Sequence, residues 1–212
     1  MQIKVWDVVT RLFHWALAIA VLMSFISIKF LHDAELHVKC GAVVMTLILF
    51  RIIWGIVGPS NARFTNFVTG IPAVISYIRL PRELKAQETG HSPLAGWAVL
   101  ALLLALATQV STGLFADDEI YVTGPLAGMV SSDSSSWATS IHYQNSDILL
   151  GLILLHLLAN TFYYFILEIN LVKPMIDGKK EVSSVDTVEE RPVVAVVSLL
   201  LAIAISVYVF NR

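Results

Sequence analysis

The sequence predicts an all-α integral membrane protein, and three observations support this. Hydrophobic residues make up 57% of the 212-residue chain and charged residues only 14%, against about 25% charged residues in soluble domains. The apolar residues are gathered into five long runs, each close to the roughly 20 residues that a membrane-spanning helix needs. The formal net charge is only −2, which argues against a nucleic-acid-binding protein because such proteins present basic surfaces.

The five predicted spans follow one another without an internal repeat or a second globular domain. The first run is preceded by Lys4, Asp7 and Arg11 and is too long for the apolar core of a signal peptide, so we expect it to stay in the mature protein. Polar stretches at 61–90 and 173–192 separate the spans, and the apolar segment 71–80 is expected to lie on the membrane surface. The spans are residues 12–30, 37–57, 94–115, 141–167 and 193–210.

Basic residues fall mostly on one side of these spans. With a cytoplasmic N-terminus, eleven of the 14 lysines and arginines are inside and three outside. Positively charged loops stay in the cytoplasm, so we expect a cytoplasmic N-terminus and a periplasmic C-terminus. The outer loop at 116–140 carries four carboxylates and a serine run but no basic residue. The inner residues are Lys4, Arg11, Arg51, Arg63, Arg79, Arg82, Lys85, Lys173, Lys179, Lys180 and Arg191, and the outer ones are Lys29, Lys39 and Arg212.

Four histidines lie within or at the ends of the spans, where ionisable residues are costly and mark functional sites. His142 and His156 are fourteen residues apart, which puts them on one helix face but about 21 Å apart in depth. Alternating topology places His37 level with His142 toward the outside, and His14 level with His156 toward the inside. Each pair can supply two axial nitrogens to a haem iron inside a helix bundle. We therefore predict two b-type haems, since the single Cys40 permits no CxxCH attachment of a c-type haem.

Arg51, Gly41 and Gly55 fit the same geometry. Arg51 is fourteen residues after His37, at the depth of the inner pair, where a guanidinium can neutralise a haem propionate. Gly41 and Gly55 repeat that spacing, and Gly151 lies between the two histidines of the fourth span. Small residues there let a flat porphyrin lie close to the helix. They also suit close packing of helices, so both roles stay open.

Several segments around these residues match a known family in the family's order. They are VWDVVTRLFHW (5–15), LHVKCG (36–41), FRIIWGIVG (50–58) with ARF (62–64), GHSPLAGW (90–97) and IHYQNSDILLGLILLH (141–156). Over about residues 3–180 the chain resembles the bacterial dihaem cytochrome b family, which includes the cytochrome b561 type and the b-type cytochrome subunits of membrane nickel–iron hydrogenases. The resemblance implies a dihaem four-helix transmembrane domain over 1–180, with a cytoplasmic linker and an additional helix over 181–212. Its haem ligands fall on His14, His37, His142 and His156.

The resemblance also implies a function, namely that of an electron-transfer subunit of an oxidoreductase in the bacterial cytoplasmic (inner) membrane. Electrons would pass between the quinone pool and a periplasmic redox partner such as a c-type cytochrome or a hydrogenase. Quinone or quinol oxidoreductase activity is compatible with that role. We assign no catalytic side chain, because no nucleophile–base set, phosphate loop or pair of catalytic carboxylates occurs. The acidic outer loop suits a basic partner, although the topology rule alone also keeps lysine and arginine out of that loop.

Quinone chemistry needs proton exchange near one haem, and the candidates for it are Asp7, Arg11, Arg51 and His91. His91 stands in the sequence Gly-His-Ser-Pro, where Ser92 can cap the third span and a proline suits its first turn. It is a candidate for contact with a propionate or with quinone. His32 lies in the short turn after the first span, where we expect contact with solvent or lipid headgroups.

Two other functions stay open on the sequence. One is a freestanding quinone-linked oxidoreductase that acts on a small species such as superoxide at the outer haem. The other is a non-redox transporter whose histidines bind a metal ion. A transporter predicts ligands clustered near the membrane midplane beside broken helices, whereas these histidines fall at two depths. The fifth span and the acidic loop favour a protein partner over direct action on a small species.

Overall fold

Long helices dominate the computed structural model, which describes residues 2–120, 122–182 and 188–212. Within that part of the chain, five helices are long and apolar enough to cross a membrane, as the sequence predicts. These are α1, α2, α6, α7 and α9. In chain order the helices are α1 (Val8–Ile26, continued by a π-helical turn at Ser27–Leu31), α2 (Ala34–Val57), α3 (Phe64–Phe67), α4 (Ile71–Ile78), α5 (Arg82–Ala86), α6 (Pro93–Phe115), α7 (Ser132–Phe165), α8 (Val172–Asp177) and α9 (Pro192–Phe210).

Helix α7 begins nine residues before the span predicted at 141–167, so the serine run that we assigned to the outer loop is helical. Ser131 caps the first turn, because its hydroxyl accepts a hydrogen bond from the Ser134 N–H at 3.3 Å. The Ser135 hydroxyl donates to the Phe115 carbonyl at 2.8 Å. The predicted start is too late because hydrophobicity identifies only the part of a helix that lies in lipid, and the first turns of α7 are polar. The 34 residues of α7 extend about 51 Å, well beyond a hydrocarbon core of about 30 Å.

A short antiparallel sheet joins the N-terminus to the polar stretch before α9. Strand β1 (Gln2–Lys4) pairs with β2 (Lys179–Glu181). Ile3, Val5, Trp6 and Val182 form a small buried cluster beside it. Neither stretch is apolar enough to form a core alone. The pairing of β1 with β2 brings their apolar residues together into a small core. Residues 183–187 of the predicted linker lie outside the described residues.

Glu190 fastens the same N-terminal segment. It forms an ion pair with Lys4 and accepts a hydrogen bond from the Val8 N–H at 3.2 Å. Burial raises the pKa of the Glu190 carboxyl, but the hydrogen bonds from Lys4 and Val8 and the charges of Lys4 and Arg11 outweigh it, so the pKa lies below its ordinary value.

Contacts between residues divide the chain into two compact units. The first consists of Met1–Leu12, Ile53–Leu102 and Leu152–Ala195, and the second of Phe13–Ile52, Leu103–Gly151 and Val196–Arg212. This division differs from the domain boundary that we predict at residue 180, and that boundary stays a prediction.

The first unit is organised around Trp54, which is fully buried. The Trp54 indole N–H donates to the Thr10 hydroxyl at 3.2 Å. Thr10 in turn donates from its hydroxyl and its backbone N–H to the two carboxylate oxygens of Asp7, at 2.6 and 2.8 Å. Asp7 is therefore the N-cap of α1, a role that occupies both carboxylate oxygens of this proton-exchange candidate.

The second unit contains most of α2 and α9. The Ser206 hydroxyl of α9 donates to the Ala42 carbonyl of α2 at 3.2 Å. Ser206, Ala202 and Ser198 are buried, while Leu200, Leu201 and Val207 on the same helix are exposed. The fifth helix therefore presents small residues to the protein and branched aliphatic residues to its surroundings, which is the usual way for membrane helices to pack closely.

Candidate functional site

The structure brings the rings of His37 of α2 and His142 of α7 close together, edge to face, within the second unit. Their ring centroids are 6.2 Å apart and the ring planes are nearly perpendicular, at 87°. Both rings lie within apolar membrane spans.

The hydrogen bonds of both rings fix the same tautomer. Nδ1 of His37 lies 3.0 Å from the Ser24 carbonyl oxygen, and Nδ1 of His142 lies 3.0 Å from the Gln109 carbonyl oxygen. A carbonyl only accepts, so we assign the ring proton to Nδ1 in each case and the lone pair to Nε2. Imidazoles that ligate metals commonly donate their second nitrogen to a carbonyl in this way, which orients the ring. Nε2 of each ring is then the nitrogen left to bind a metal. The Gln109 side-chain amide nitrogen lies 3.1 Å from Nε2 of His142 and would have to turn away from it first.

The distance between the two rings would suit a haem iron held by His37 and His142. A metal–nitrogen bond is about 2 Å long. Two such bonds, plus the distance from each bonded nitrogen to the centroid of its own ring, add up to about the observed centroid distance of 6.2 Å. The perpendicular planes are compatible, because each ligand can turn about its own metal–nitrogen bond. Among the described residues, no three His, Cys, Asp or Glu side chains cluster closely enough to hold a metal ion. A site built from two histidines suits an iron whose other four ligands belong to a porphyrin.

The glycines predicted to flank a haem differ in their surroundings. A Cβ atom built at Gly41, one turn after His37, meets no atom within 4 Å, and the same holds at Gly151. A Cβ at Gly55, by contrast, would overlap the ring of Phe64, so this glycine permits close packing of that ring. The haem-contact roles of Gly41 and Gly55 stay predictions.

His14 and His156, the predicted inner pair, belong to different units. His14 lies in the second unit and packs edge-on against Trp15, with ring centroids 5.0 Å apart. His156 lies in the first unit, where its Nε2 is 3.3 Å from the Asn160 side-chain nitrogen. Arg51 lies in the second unit and is only 3% exposed. The pairing of these histidines and the contact of Arg51 with a propionate stay predictions.

The other two histidines have structural surroundings. The His91 ring lies 4.7 Å from the Trp6 ring and 4.5 Å from the Phe67 ring, measured between centroids. The Ser92 hydroxyl accepts from the Ala95 N–H at 3.3 Å, which confirms the predicted cap of α6. His32 is exposed and has a positive φ of 52° at the end of the π-helical turn. Its exposure agrees with contact to solvent or headgroups.

Sequence reasoning missed the residues around the rings of His37 and His142. Ser24 contacts His37, Gln109 and Gly113 contact His142, and Asn145 contacts Gln109. A signal was present, because Asn145 is three residues after His142 and therefore on its face of α7. Gln109 and Gly113 are likewise four residues apart on α6. Which of the polar residues in an apolar helix meets the ligand depends on how two helices are rotated, and periodicity alone does not give that rotation.

Comparison with known proteins gives one match. The sequence model of a family described as prokaryotic cytochrome b561 matches residues 5–178. This range includes all four predicted ligand histidines and ends before α9. Neither a curated protein nor a solved structure matches the chain.

Proposed function

This chain belongs to the prokaryotic cytochrome b561 family of membrane b-haem electron-transfer proteins, and we propose that it carries electrons between the membrane quinone pool and a periplasmic redox partner. The proposal assigns two b haems to the chain. One is held by His37 and His142 and the other by His14 and His156.

The observation that carries the proposal is the close pair His37 and His142, with both Nδ1 atoms directed at backbone carbonyls. A bound b haem would supply a reversible one-electron iron couple there. The imidazoles bind and orient it, and their apolar helices exclude water. These side chains take no part in proton transfer, because each Nδ1 proton is held by a carbonyl and each Nε2 serves as a ligand.

The second pair is proposed from sequence spacing. His156 is fourteen residues after His142, and Arg51 is fourteen residues after His37. Each interval nearly completes whole helical turns. His156 therefore lies on the same face of α7 as His142, and Arg51 on the same face of α2 as His37, both at a second depth. Arg51 is buried in a membrane helix, where a guanidinium has to be compensated by an anion or by hydrogen-bond acceptors. A haem propionate would be such an anion.

The periplasmic partner is proposed from the acidic loop between α6 and α7. Carboxylates of this loop accept hydrogen bonds from the loop's own backbone. Asp117 accepts from the Glu119 N–H at 2.9 Å, and Asp118 accepts from the Val122 N–H at 2.8 Å. Glu119 and Asp133 are exposed. A c-type cytochrome or hydrogenase subunit with a basic rim would be attracted to such a surface, at a rate that falls as salt rises.

Haem analysis of the purified chain in detergent tests the proposal. We expect about two b haems per polypeptide by pyridine haemochrome, with two low-spin redox transitions. His37→Ala and His142→Ala should lose the same transition, and His14→Ala and His156→Ala the other. The exposed His32→Ala variant is the matched control and should keep both.

Two results would contradict the proposal. Crossed losses, such as one transition missing from both His37→Ala and His156→Ala, would overturn the pairing. A wild-type chain that carries no haem when haem is supplied in excess would overturn the electron-transfer function itself.

A further inference from the structure

One backbone carbonyl, that of Ser24, accepts hydrogen bonds from two side chains. The Ser27 hydroxyl donates to it at 2.7 Å, and Nδ1 of His37 lies 3.0 Å from it. Ser27 is fully buried. We propose that Ser27 is a positioning residue that shares the Ser24 carbonyl with the His37 imidazole and thereby raises the reduction potential of the haem that His37 binds. The inference rests on the proposed function, because it takes His37 as an axial ligand.

The contacts of Ser24 with the His37 ring do not compete with a haem iron. They involve Nδ1, whereas the iron would bind Nε2 on the other side of the ring. Ser24 Oγ lies 3.2 Å from the same Nδ1. Because Nδ1 carries the ring proton, Oγ accepts this proton together with the carbonyl oxygen. The ring proton is therefore directed at two oxygens of one residue.

The turn between α1 and α2 connects Ser27 to His37 through the backbone as well. Ser27 begins the π-helical turn Ser27–Leu31, and its carbonyl accepts the backbone N–H groups of His32 and, at 2.9 Å, of Asp33. The Asp33 carbonyl in turn accepts the His37 N–H at 3.1 Å. The same turn thus fixes the start of α2 and places the imidazole beside the carbonyl that Ser27 contacts.

The shared acceptor predicts the sign of the effect on the haem. The hydroxyl hydrogen of Ser27 is positive and reduces the negative potential that the Ser24 oxygen presents to the imidazole N–H. Hydrogen bonds at the second nitrogen make an imidazole a more basic ligand, so a weaker bond at Nδ1 makes His37 a poorer electron donor to iron. A poorer donor stabilises the ferric state less, and the reduction potential is therefore higher.

The test compares four variants of the haem-loaded protein with wild type. Ser27→Ala removes the hydroxyl from the shared carbonyl, and Ser27→Cys fills a similar space with a weak donor. Ser24→Ala removes the second acceptor of the ring proton and keeps the carbonyl. Ser206→Ala is the matched control, because Ser206 is also buried and donates to a carbonyl, that of Ala42, which the Thr46 hydroxyl shares. Haem per polypeptide, the potential of each haem and the low-spin ferric EPR g-values are measured.

We expect both Ser27 variants to keep two haems, to lower the potential of one of them and to shift the g-values of that haem only. That haem is identified as the transition missing from His37→Ala. Ser24→Ala should raise the potential of the same haem, because the ring proton loses one of its two acceptors. Ser206→Ala should match wild type. General loosening of α1 would instead shift the Ser24 and Ser27 variants in one direction.

Potentials of the Ser27 variants that equal or exceed that of Ser206→Ala would overturn the inference. So would equal shifts at both haems, a lower potential in Ser24→Ala, or loss of the haem from both Ser27 variants, because each would indicate a role in packing alone. If Ser27→Ala does not fold, Ser27→Cys decides the inference. If His37→Ala keeps both transitions, the proposed function fails, and this failure is seen in a variant that leaves both serines intact.

Discussion

Gly113 is the residue of α6 that allows the His142 ring to approach that helix. A Cβ atom at this position would lie 2.9 Å from Cε1 and 3.2 Å from Nδ1 of the ring. Alanine in place of glycine normally stabilises a helix interior by up to about 1 kcal/mol. A loss of haem on this substitution would therefore be due to the contact of the new methyl group with the ring. We expect Gly113→Ala to lose or spectrally alter one haem, the haem also missing from His142→Ala, in an absorbance and redox titration.

Gly128→Ala is the control for this prediction, because a Cβ at that position meets nothing within 4 Å. It should match wild type in haem content and spectrum. A Gly113→Ala protein with both haems unchanged would show that the ring can shift at no cost, contrary to the expectation.

Asp7 is a candidate for proton exchange on the sequence, but its contacts in the structure explain it as the N-cap of α1. It is fully buried and receives both hydrogen bonds that Thr10 donates to it. Asp7→Ala should destabilise the protein by about 1 kcal/mol, the usual value of a lost N-cap, and leave the Thr10 N–H without its acceptor. Asp7→Asn keeps one acceptor oxygen and should recover most of the loss. Thermal unfolding followed by circular dichroism in detergent measures both, and equal stability of Asp7→Ala and wild type would contradict the capping role.

Among the elements, α4 is the clearest case of a helix built for the membrane surface. Ile71, Ile75 and Ile78, spaced by four and three residues, are 66%, 46% and 57% exposed. Tyr77 on the opposite face is buried, and its hydroxyl lies 3.1 Å from that of Tyr163. Because one face of α4 is aliphatic and exposed and the other packs on the protein, we expect this helix to lie in the interface between lipid and water.

Spin labels test this placement of α4 in the reconstituted chain, with Cys40 replaced by serine. A nitroxide at position 75 should be relaxed mainly by oxygen, which concentrates in lipid. A nitroxide at the exposed Glu83 position of α5 should be relaxed mainly by a water-soluble nickel chelate. Equal response of the two labels to the two reagents would place Ile75 in water and contradict the prediction.

At the scale of the whole molecule, the sequence predicts the spans far better than the contacts between them. An apolar run of about 20 residues has only one stable solution in lipid, and all five appear as helices. The polar start of α7 and the pairing of β1 with β2 were not predicted, because they depend on side-chain caps and on strands about 175 residues apart in the chain. Hydropathy contains neither kind of information.

In the candidate site, too, the sequence predicts the depth of a residue along its helix but not the rotation of the helix about its axis. Depth along a helix follows from counting residues, and it predicts that His37 and His142 lie level with each other. In the structure their ring centroids are 6.2 Å apart. The contacts of Gln109 with His142 and with Asn145 depend on which faces of α6 and α7 meet. That choice is made by packing over the full length of both helices, so no local pattern reveals it.

The distribution of charge predicts the orientation of the whole chain in the membrane. With a cytoplasmic N-terminus, eleven lysines and arginines lie inside and three outside, and an odd number of spans places the two termini on opposite sides. We expect alkaline phosphatase fused after Arg212 to be active and green fluorescent protein fused there to be dark. Fusions after Lys180 should behave in the opposite way. The reverse result at both points would invert the topology, and the acidic loop would then face the cytoplasm, where a periplasmic partner could not reach it.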